Sequence, residues 1–304
     1  MHKTLVVCSL IAACASSAFA WGNDGHRIVC RIAYDELSAA DRKEANRLAK
    51  GYKMPPDADL QINSFPDACV FADEARSKNR TATTNNDTTS PWLHYSAFND
   101  WHFINVTRDT TTIPESECNN DCVLTGIATH SAMLKNGAND QDRGEGLIFL
   151  GHWLGDIHQP LHVSYADDQG GNKVQPVTGG YYPVPSSFPL NLHAVWDTSI
   201  ISKADAASGW RVYADRLQRK ITTAQRAQWL ASSDPLQWAQ ESYDITTKPA
   251  VEYCHQSSSG CASFGTGRTL TKAYQAAFQH DVELSLQQAG VRLAKLIHDD
   301  LNTH

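Results

Sequence analysis

Apolar residues along this chain recur mostly at the three-and-four spacing of amphipathic helices, and strand-like alternation is scarce and short. Asp24 is placed to cap a helix whose apolar face includes Ile28, Val29, Ile32 and Ala33. Ser38 starts a second helix that Gly51 ends. Pro66 falls where a first helical turn accepts proline, ahead of a run from Asp67 to Arg76. Asp121 to Asn136 reads as a helix stopped by Gly137, and Glu145 to Ile157 as another that ends before Pro160. Asn191 to Ile201 predicts a shorter helix, and Thr271 to Leu301 sustains a long apolar periodicity. The polar stretch Asn79 to Ser90 reads as a surface loop. Val163 to Pro189, with Gly170-Gly171, Gly179-Gly180 and several prolines, reads as a long functional loop. There is no internal repeat and no dividing linker. The pattern predicts an all-α fold, a single multi-helical domain over residues 21–304 whose long loops shape a site.

The first twenty residues stand apart. Lys3 precedes an apolar run from Leu5 to Ala15, and Ala18-Phe19-Ala20 ahead of Trp21 has the small-residue pattern of a cleavage site. Residues 1–20 are expected to be a signal peptide, which makes the protein secreted or periplasmic. The run is too short to span a bilayer, and no later segment reaches the ~18 apolar residues a spanning helix needs. No membrane association and no obligate protein partner is expected. Cys8 and Cys14 leave with the signal, and Cys30, Cys69, Cys118, Cys122, Cys254 and Cys261 remain. Cysteines in an exported chain point to disulfides before thiolate metal sites. Joining the close neighbours, Cys118 with Cys122 and Cys254 with Cys261, leaves Cys30 with Cys69, one of several possible connectivities.

The formal charge is −7, and it becomes one unit more negative without Lys3. Such a chain has no general attraction for nucleic acid, whose backbone is normally met by Lys and Arg. If the substrate is a phosphodiester, bound metal is the obvious source of positive charge. The placement of His and Asp fits that need. Within Gly151-His152-Trp153-Leu154-Gly155-Asp156-Ile157-His158-Gln159-Pro160-Leu161-His162, His152 and Asp156 share one helix face. His162 follows the break at Pro160 and can turn back towards them. His193 and Asp197 repeat the four-residue spacing. Nitrogen and carboxylate donors without thiolates suit catalytic zinc. A single such pair is more often a buried histidine satisfied by its helical neighbour than a metal ligand. Two pairs with His162, set among Leu150, Trp153, Leu154 and Ile157, are not a solvated face. His158 is placed to hydrogen-bond a ligand from outside the cluster. His94, His130, His255, His280 and His298 lack partners at ligand spacing and read as surface or core residues.

Six segments in order carry a family resemblance: Trp21-Gly22-x-x-Gly25-His26, Phe71-Ala72-Asp73-Glu74-Ala75-Arg76, Trp101-His102-Phe103-Ile104-Asn105, Gly151-His152 to His162, Gly170-Gly171-Asn172, and Asn191-Leu192-His193 to Asp197. Together they resemble the S1/P1-type zinc-dependent single-strand-specific nucleases, whose superfamily includes bacterial zinc-dependent phospholipase C. The C-terminal third matches only as helical sequence.

The resemblance implies three zinc ions per chain. Asp73, His102, His152 and Asp156 would hold the first, and His162, His193 and Asp197 the second. The third would be held by His26, by Asp156 as a bridging carboxylate, and by the amine and carbonyl of Trp21, an amine that exists only after cleavage. It further implies an endonuclease acting on single-stranded DNA and RNA, with 3′-nucleotidase activity and 5′-phosphate products. A water between the first and third zinc would attack phosphorus, Asp73 would orient or deprotonate it, and the second zinc would take the charge on the leaving 3′-oxygen. Arg76 would grip phosphate oxygens, with a surface salt bridge as its plainer alternative. Phe103 is a candidate stacking platform, or else core packing. Asn172 is placed to approach the base, or closes an ordinary turn. Asn105 stands where the family often carries a base-reading Asp, and is left unassigned. Tyr181 and Tyr182 are placed to stack a second nucleotide, or are simply exposed. The nearest rival is a phospholipase C of the same superfamily, which carries Glu where this chain has Asp197.

Overall fold

A computed structural model describes residues 21–178, 190–251, 254–257, 260–263, 268–270 and 272–303. Helices dominate them. Helix α1 (Asn23–Glu36) is entered from Gly22, which stands at the N-cap without a side-chain bond. Asp24 is therefore not the cap. It lies in the first turn and meets Arg27 at 3.4 Å, still on the end where a carboxylate favours the helix dipole. Helix α2 (Ala39–Gly51) begins as expected, Ser38 Oγ accepting the N–H of Asp41.

The single helix expected over Asp67–Arg76 is two, α3 (Phe65–Ala68) and α4 (Phe71–Thr84), broken at Cys69-Val70. The half-turn between them is where Cys69 joins Cys30 of α1 in a disulfide. Because α4 continues to Thr84, the first part of the stretch read as a surface loop is helix. One of its faces is buried through Ala75, Asn79 and Ala82. Asn79 is tolerated there because Nδ2 donates to the Trp92 carbonyl and to Ser96 Oγ, each at 2.9 Å.

A 3₁₀ stretch (Pro91–Phe98) leads to strand β1 (Ile104–Val106). Helix α5 (Val123–Asn136) starts after Cys122 rather than at Asp121, whose carboxylate instead accepts the Trp101 indole N–H at 2.9 Å. The second disulfide, Cys118–Cys122, closes the turn ahead of it. Helix α6 (Asp140–Ile157) starts ahead of the expected Glu145, because Asn139 caps it by accepting from the N–H groups of Gln141 and Asp142. From Gly144 to Ile157 every residue of α6 is buried, as befits a helix enclosed all round.

The expected long loop opens as strand β2 (Val163–Tyr165) and later forms β3 (Val177–Thr178); Tyr181 and Tyr182 lie outside the described residues. Asn191 caps α7 (Leu192–Ala194), followed by a π-helical turn (Val195–Ser199) and α8 (Ile200–Asp205). Then come α9 (Gly209–Lys220), α10 (Thr223–Trp229) and α11 (Pro235–Thr246), none of which the apolar pattern announced. Strands β4 (Cys254–Ser257), β5 (Gly260–Ser263) and β6 (Arg268–Thr269) precede the long α12 (Lys272–Asn302). The side chains of Cys254 and Cys261 lie outside the described residues, and so does their expected bond.

Helix α6 packs against α5, α2 and α12, while α1 packs on α12 and α9. The strands form two-stranded pieces only. β1 and β2 run parallel with Asn105 opposite Ser164, β3 pairs parallel with β6, and β4 with β5 antiparallel. No helix among the described residues is long and apolar enough to cross a membrane.

Candidate metal centre

The C-terminal half of α6 carries His152 and Asp156 on one face, with His152 Nε2 3.2 Å from Asp156 Oδ2. Around them the fold gathers residues from four other places. Asp73 comes from the first turn of α4 and His26 from the first turns of α1. His102 and His162 stand just before β1 and β2, so the pairing of those two strands sets them side by side. His193 in α7 and Asp197 in the π-helical turn meet at 3.1 Å. Trp21 is fully buried, and the next residue is tied to the centre by Gly22 N–H donating to the Asp197 carbonyl at 2.8 Å.

The backbone decides which ring nitrogens face inwards. A ring nitrogen beside a carbonyl oxygen must carry the hydrogen, so the other nitrogen of a neutral imidazole is a lone pair. His152 Nδ1–H donates to the Cys69 carbonyl (2.8 Å), His162 Nδ1–H to that of His102 (2.6 Å), and His193 Nδ1–H to that of Gly170 (2.7 Å). Their Nε2 atoms consequently face inwards as lone pairs: His193 Nε2 lies 3.2 Å from His162 Nε2, two acceptors facing each other, and His152 Nε2 lies 3.1 Å from His102 Nδ1. Asp156 is at the middle of this, with Oδ2 3.1 Å from His102 Nδ1 and Oδ1 3.4 Å from His26 Nε2. The carboxylate oxygens of Asp73 and Asp156 and both ring nitrogens of His26 are buried without a hydrogen-bond partner. Lone pairs facing lone pairs, and orphaned buried carboxylates, are what a divalent cation resolves.

Charge leads to the same result. Burial pushes Asp73 up to about 7 and holds Asp156 and Asp197 above the usual carboxylate range. Burial also drives His26, His102, His152 and His162 down to the neutral, ligating form. His193 runs the other way: burial lowers it most, but Asp197 alongside and the Gly170 carbonyl together raise it above the usual value. Three groups of residues place their donor atoms close enough to hold a metal ion: His26 with Asp73 and His152, His102 with His152 and Asp156, and His162 with His193 and Asp197.

A cavity of about 370 Å³ opens beside the centre, lined by His162, His193, Arg76, Phe103, Asn105 and Asn172 among others. Arg76 is buried, its guanidinium 5.5 Å from the centre of the Phe103 ring. Burial first, and the charge of Arg80 second, push it down to about 10, so it stays cationic at neutral pH. Phe103 is half-buried and faces the cavity rather than the core. Asn172 Nδ2 donates to the Gln169 carbonyl at 2.8 Å, so it helps to close the turn as well as lining the cavity.

His158 does not reach the cluster. Its Nδ1–H donates back to the Leu154 carbonyl (2.8 Å) and its Nε2 accepts from Arg292 (2.9 Å), which pulls it towards α12. Its neighbour Gln159, which no spacing marked out, takes the supporting place: Nε2 donates to Asp197 Oδ1 while Oε1 accepts the Leu161 N–H at 2.6 Å. Gly170, at φ +62°, offers the carbonyl that orients His193; a Cβ there would lie 2.5 Å from the Leu161 carbonyl oxygen. Arg80, also missed, lines the cavity.

The S1/P1 nuclease family model matches residues 21–302. Endonuclease 2 of Arabidopsis thaliana is 31% identical over 233 residues, covering 73% of this chain and 72% of that protein. Endonuclease 1 of the same plant is 27% identical over 317 residues, 97% of this chain and 91% of its own. Nuclease P1 of Penicillium citrinum is 27% identical over 223 residues, 65% of this chain and 75% of its own. Placed beside a buried His/Asp cluster that can hold metal, these matches show that the chain belongs to the S1/P1 nuclease family, hydrolases of the phosphodiester bond.

Proposed function

We propose that residues 1–20 are removed on export, and that the domain beginning at Trp21 is a zinc-dependent endonuclease. It cleaves single-stranded DNA and RNA to 5′-phosphate products and also takes the phosphate from 3′-nucleotides. The observation that carries this reading is the set of inward lone pairs fixed by backbone carbonyls around the orphaned Asp73 and Asp156. Asp73, His102, His152 and Asp156 would hold one zinc, and His162, His193 and Asp197 a second. His26, Asp156 and the amine and carbonyl of Trp21 would hold a third. The complete burial of Trp21 supports its place, and so does the family match that begins at that residue. Bound zinc supplies Lewis-acid polarisation and a nucleophilic water at neutral pH.

The chain's own groups do the positioning. Arg76 holds the non-bridging phosphate oxygens with its planar fork. Asp73, whose oxygens have no competing hydrogen bond, orients the attacking water and takes its proton. Water adds to phosphorus as the bond to the 3′-oxygen breaks, leaving a 5′-phosphate and a 3′-hydroxyl. Phe103, beneath Arg76, stacks a base, which suits unpaired strands because every base has a face. Asn172 lines the cavity where the base or sugar would enter.

The zinc-loaded domain starting at Trp21 should hydrolyse single-stranded DNA, RNA and 3′-AMP and spare duplex DNA. Hydrolysis of phosphatidylcholine with none of the three nucleic-acid substrates cut would replace this reading with the phospholipase one.

A further inference from the structure

The cavity beside the centre has a second guanidinium that the reaction above does not use. Arg76 and Arg80 are four residues apart on α4, so they share one helix face about 6 Å apart along the axis. Both line the cavity with Phe103, His162 and His193. Arg76 is buried against the centre, whereas Arg80 is exposed. Most arginines of this chain meet a carboxylate: Arg27 with Asp24, Arg31 with Asp35, Arg47 with Asp140, Arg226 with Glu36. Among the described residues Arg80 forms no ion pair and no hydrogen bond, although Asp100 lies on the same cavity wall. Its positive charge is felt at Arg76, another cation. Two guanidiniums held one helical turn apart repel each other unless an anion sits at each.

We infer that Arg80 is a specificity-determining residue that binds the phosphate next to the scissile one, so that the enzyme favours strands with at least two successive phosphodiesters. This rests on the nuclease reading. The scissile phosphate belongs at Arg76 and the metal centre. A single strand running along α4 then brings its next phosphate one nucleotide further, to the height of Arg80. The fork of an arginine matches a phosphate as it does a carboxylate, with charge-assisted hydrogen bonds. A 3′-mononucleotide has a single phosphate and cannot engage both.

The test compares a dinucleoside monophosphate with a trinucleoside diphosphate of the same base, using the zinc-loaded domain and its Arg80→Ala and Arg80→Lys variants. The ratio of trinucleoside to dinucleoside kcat/KM should fall about tenfold in Arg80→Ala, the loss of one charge-assisted contact. The change should lie mainly in KM, and Arg80→Lys should recover much of it. On long single-stranded DNA the slope of log kcat/KM against log salt should shrink by ~0.7. A ratio unchanged from wild type, whether both substrates slow equally or neither does, overturns the inference alone. Failure of the wild type to cut either substrate removes the nuclease reading, and this inference with it.

Discussion

At the scale of single residues, the centre is built by bonds that point away from it. Each inward nitrogen of His152, His162 and His193 is fixed because its opposite nitrogen gives a hydrogen to a named carbonyl. Gln159 does the same for a carboxylate, holding Asp197 and the Leu161 amide together. Gln159→Leu removes both bonds with little change of volume. It should weaken zinc at the His162–His193–Asp197 site by about 10- to 100-fold, read by competition with a chromophoric chelator, with far-UV circular dichroism unchanged. Unaltered affinity would mean Asp197 is held by other contacts. His130 shows buried histidine chemistry without a ligand role. It is enclosed by Phe98, Phe149 and Trp153, and burial pushes it down to about 4 from 6.5. In the unfolded chain it takes a proton as pH falls below 6.5, while in the fold it resists until about 4. Stability should therefore fall across that window, by roughly 3 kcal/mol from this group. His130→Phe should flatten that part of the urea-midpoint profile, and a profile as steep as wild type would exclude the residue as a cause.

Of the clustered side chains, His152 with Asp156 and His193 with Asp197 were legible at this scale because His and Asp at four-residue spacing inside apolar sequence are chemically conspicuous, whereas His26, Asp73 and His102 stood out only through the family resemblance. Gln159 was not, since a glutamine beside a proline looks like any turn. His158 was misread for a different reason: its partner Arg292 is 134 residues away and reaches it only through the docking of α12.

At the scale of elements, α6 is the scaffold, and its glycines are what let neighbours come close. A Cβ on Gly151 would stand 2.7 Å from Cys69 Sγ, and one on Gly155 2.6 Å from His26 Nδ1. His26 has nowhere to retreat, being stacked on His152 at 3.7 Å between ring centres. On an unconstrained helix Gly→Ala gains ~1 kcal/mol. Gly155→Ala is instead expected to displace His26 and lower kcat at least about tenfold, without a rise in Tm. A more stable, fully active variant would show that the His26 ring is not fixed where the account needs it. A helix with both a periodic face and a cap, such as α2 behind Ser38, was foreseen closely, and so was α12 from its long periodicity alone. Helix α4 was cut short because its exposed side after Lys78 is Arg80 with Thr81, Thr83 and Thr84, polar sequence that reads as loop, although Ala75, Asn79 and Ala82 keep one side buried. Helix α9 buries only Tyr213, Ala214 and Leu217, too few apolar positions to stand out from its arginines.

At the scale of the whole molecule, an acidic chain acting on a polyanion needs concentrated positive charge, and the fold offers two sources. One is the pair Arg76 and Arg80 on a single helix face, and the other is the buried His/Asp cluster, able to hold metal, at the convergence of α1, α4, α6, the β1–β2 pair and the α7 region. The order of motifs along the sequence was legible, and their convergence was implied by the family resemblance alone. Spacing could not show it, because the parallel pairing that sets His102 beside His162 joins strands of three residues each. The most direct test is to follow single-stranded DNA hydrolysis by the domain starting at Trp21 together with its metal content, before chelation, after chelation and after zinc is returned. The account predicts three zinc ions per chain, loss of cleavage as they are removed, and recovery of 5′-phosphate-forming activity when they are restored. Cleavage that persists at full rate in metal-free protein would contradict it.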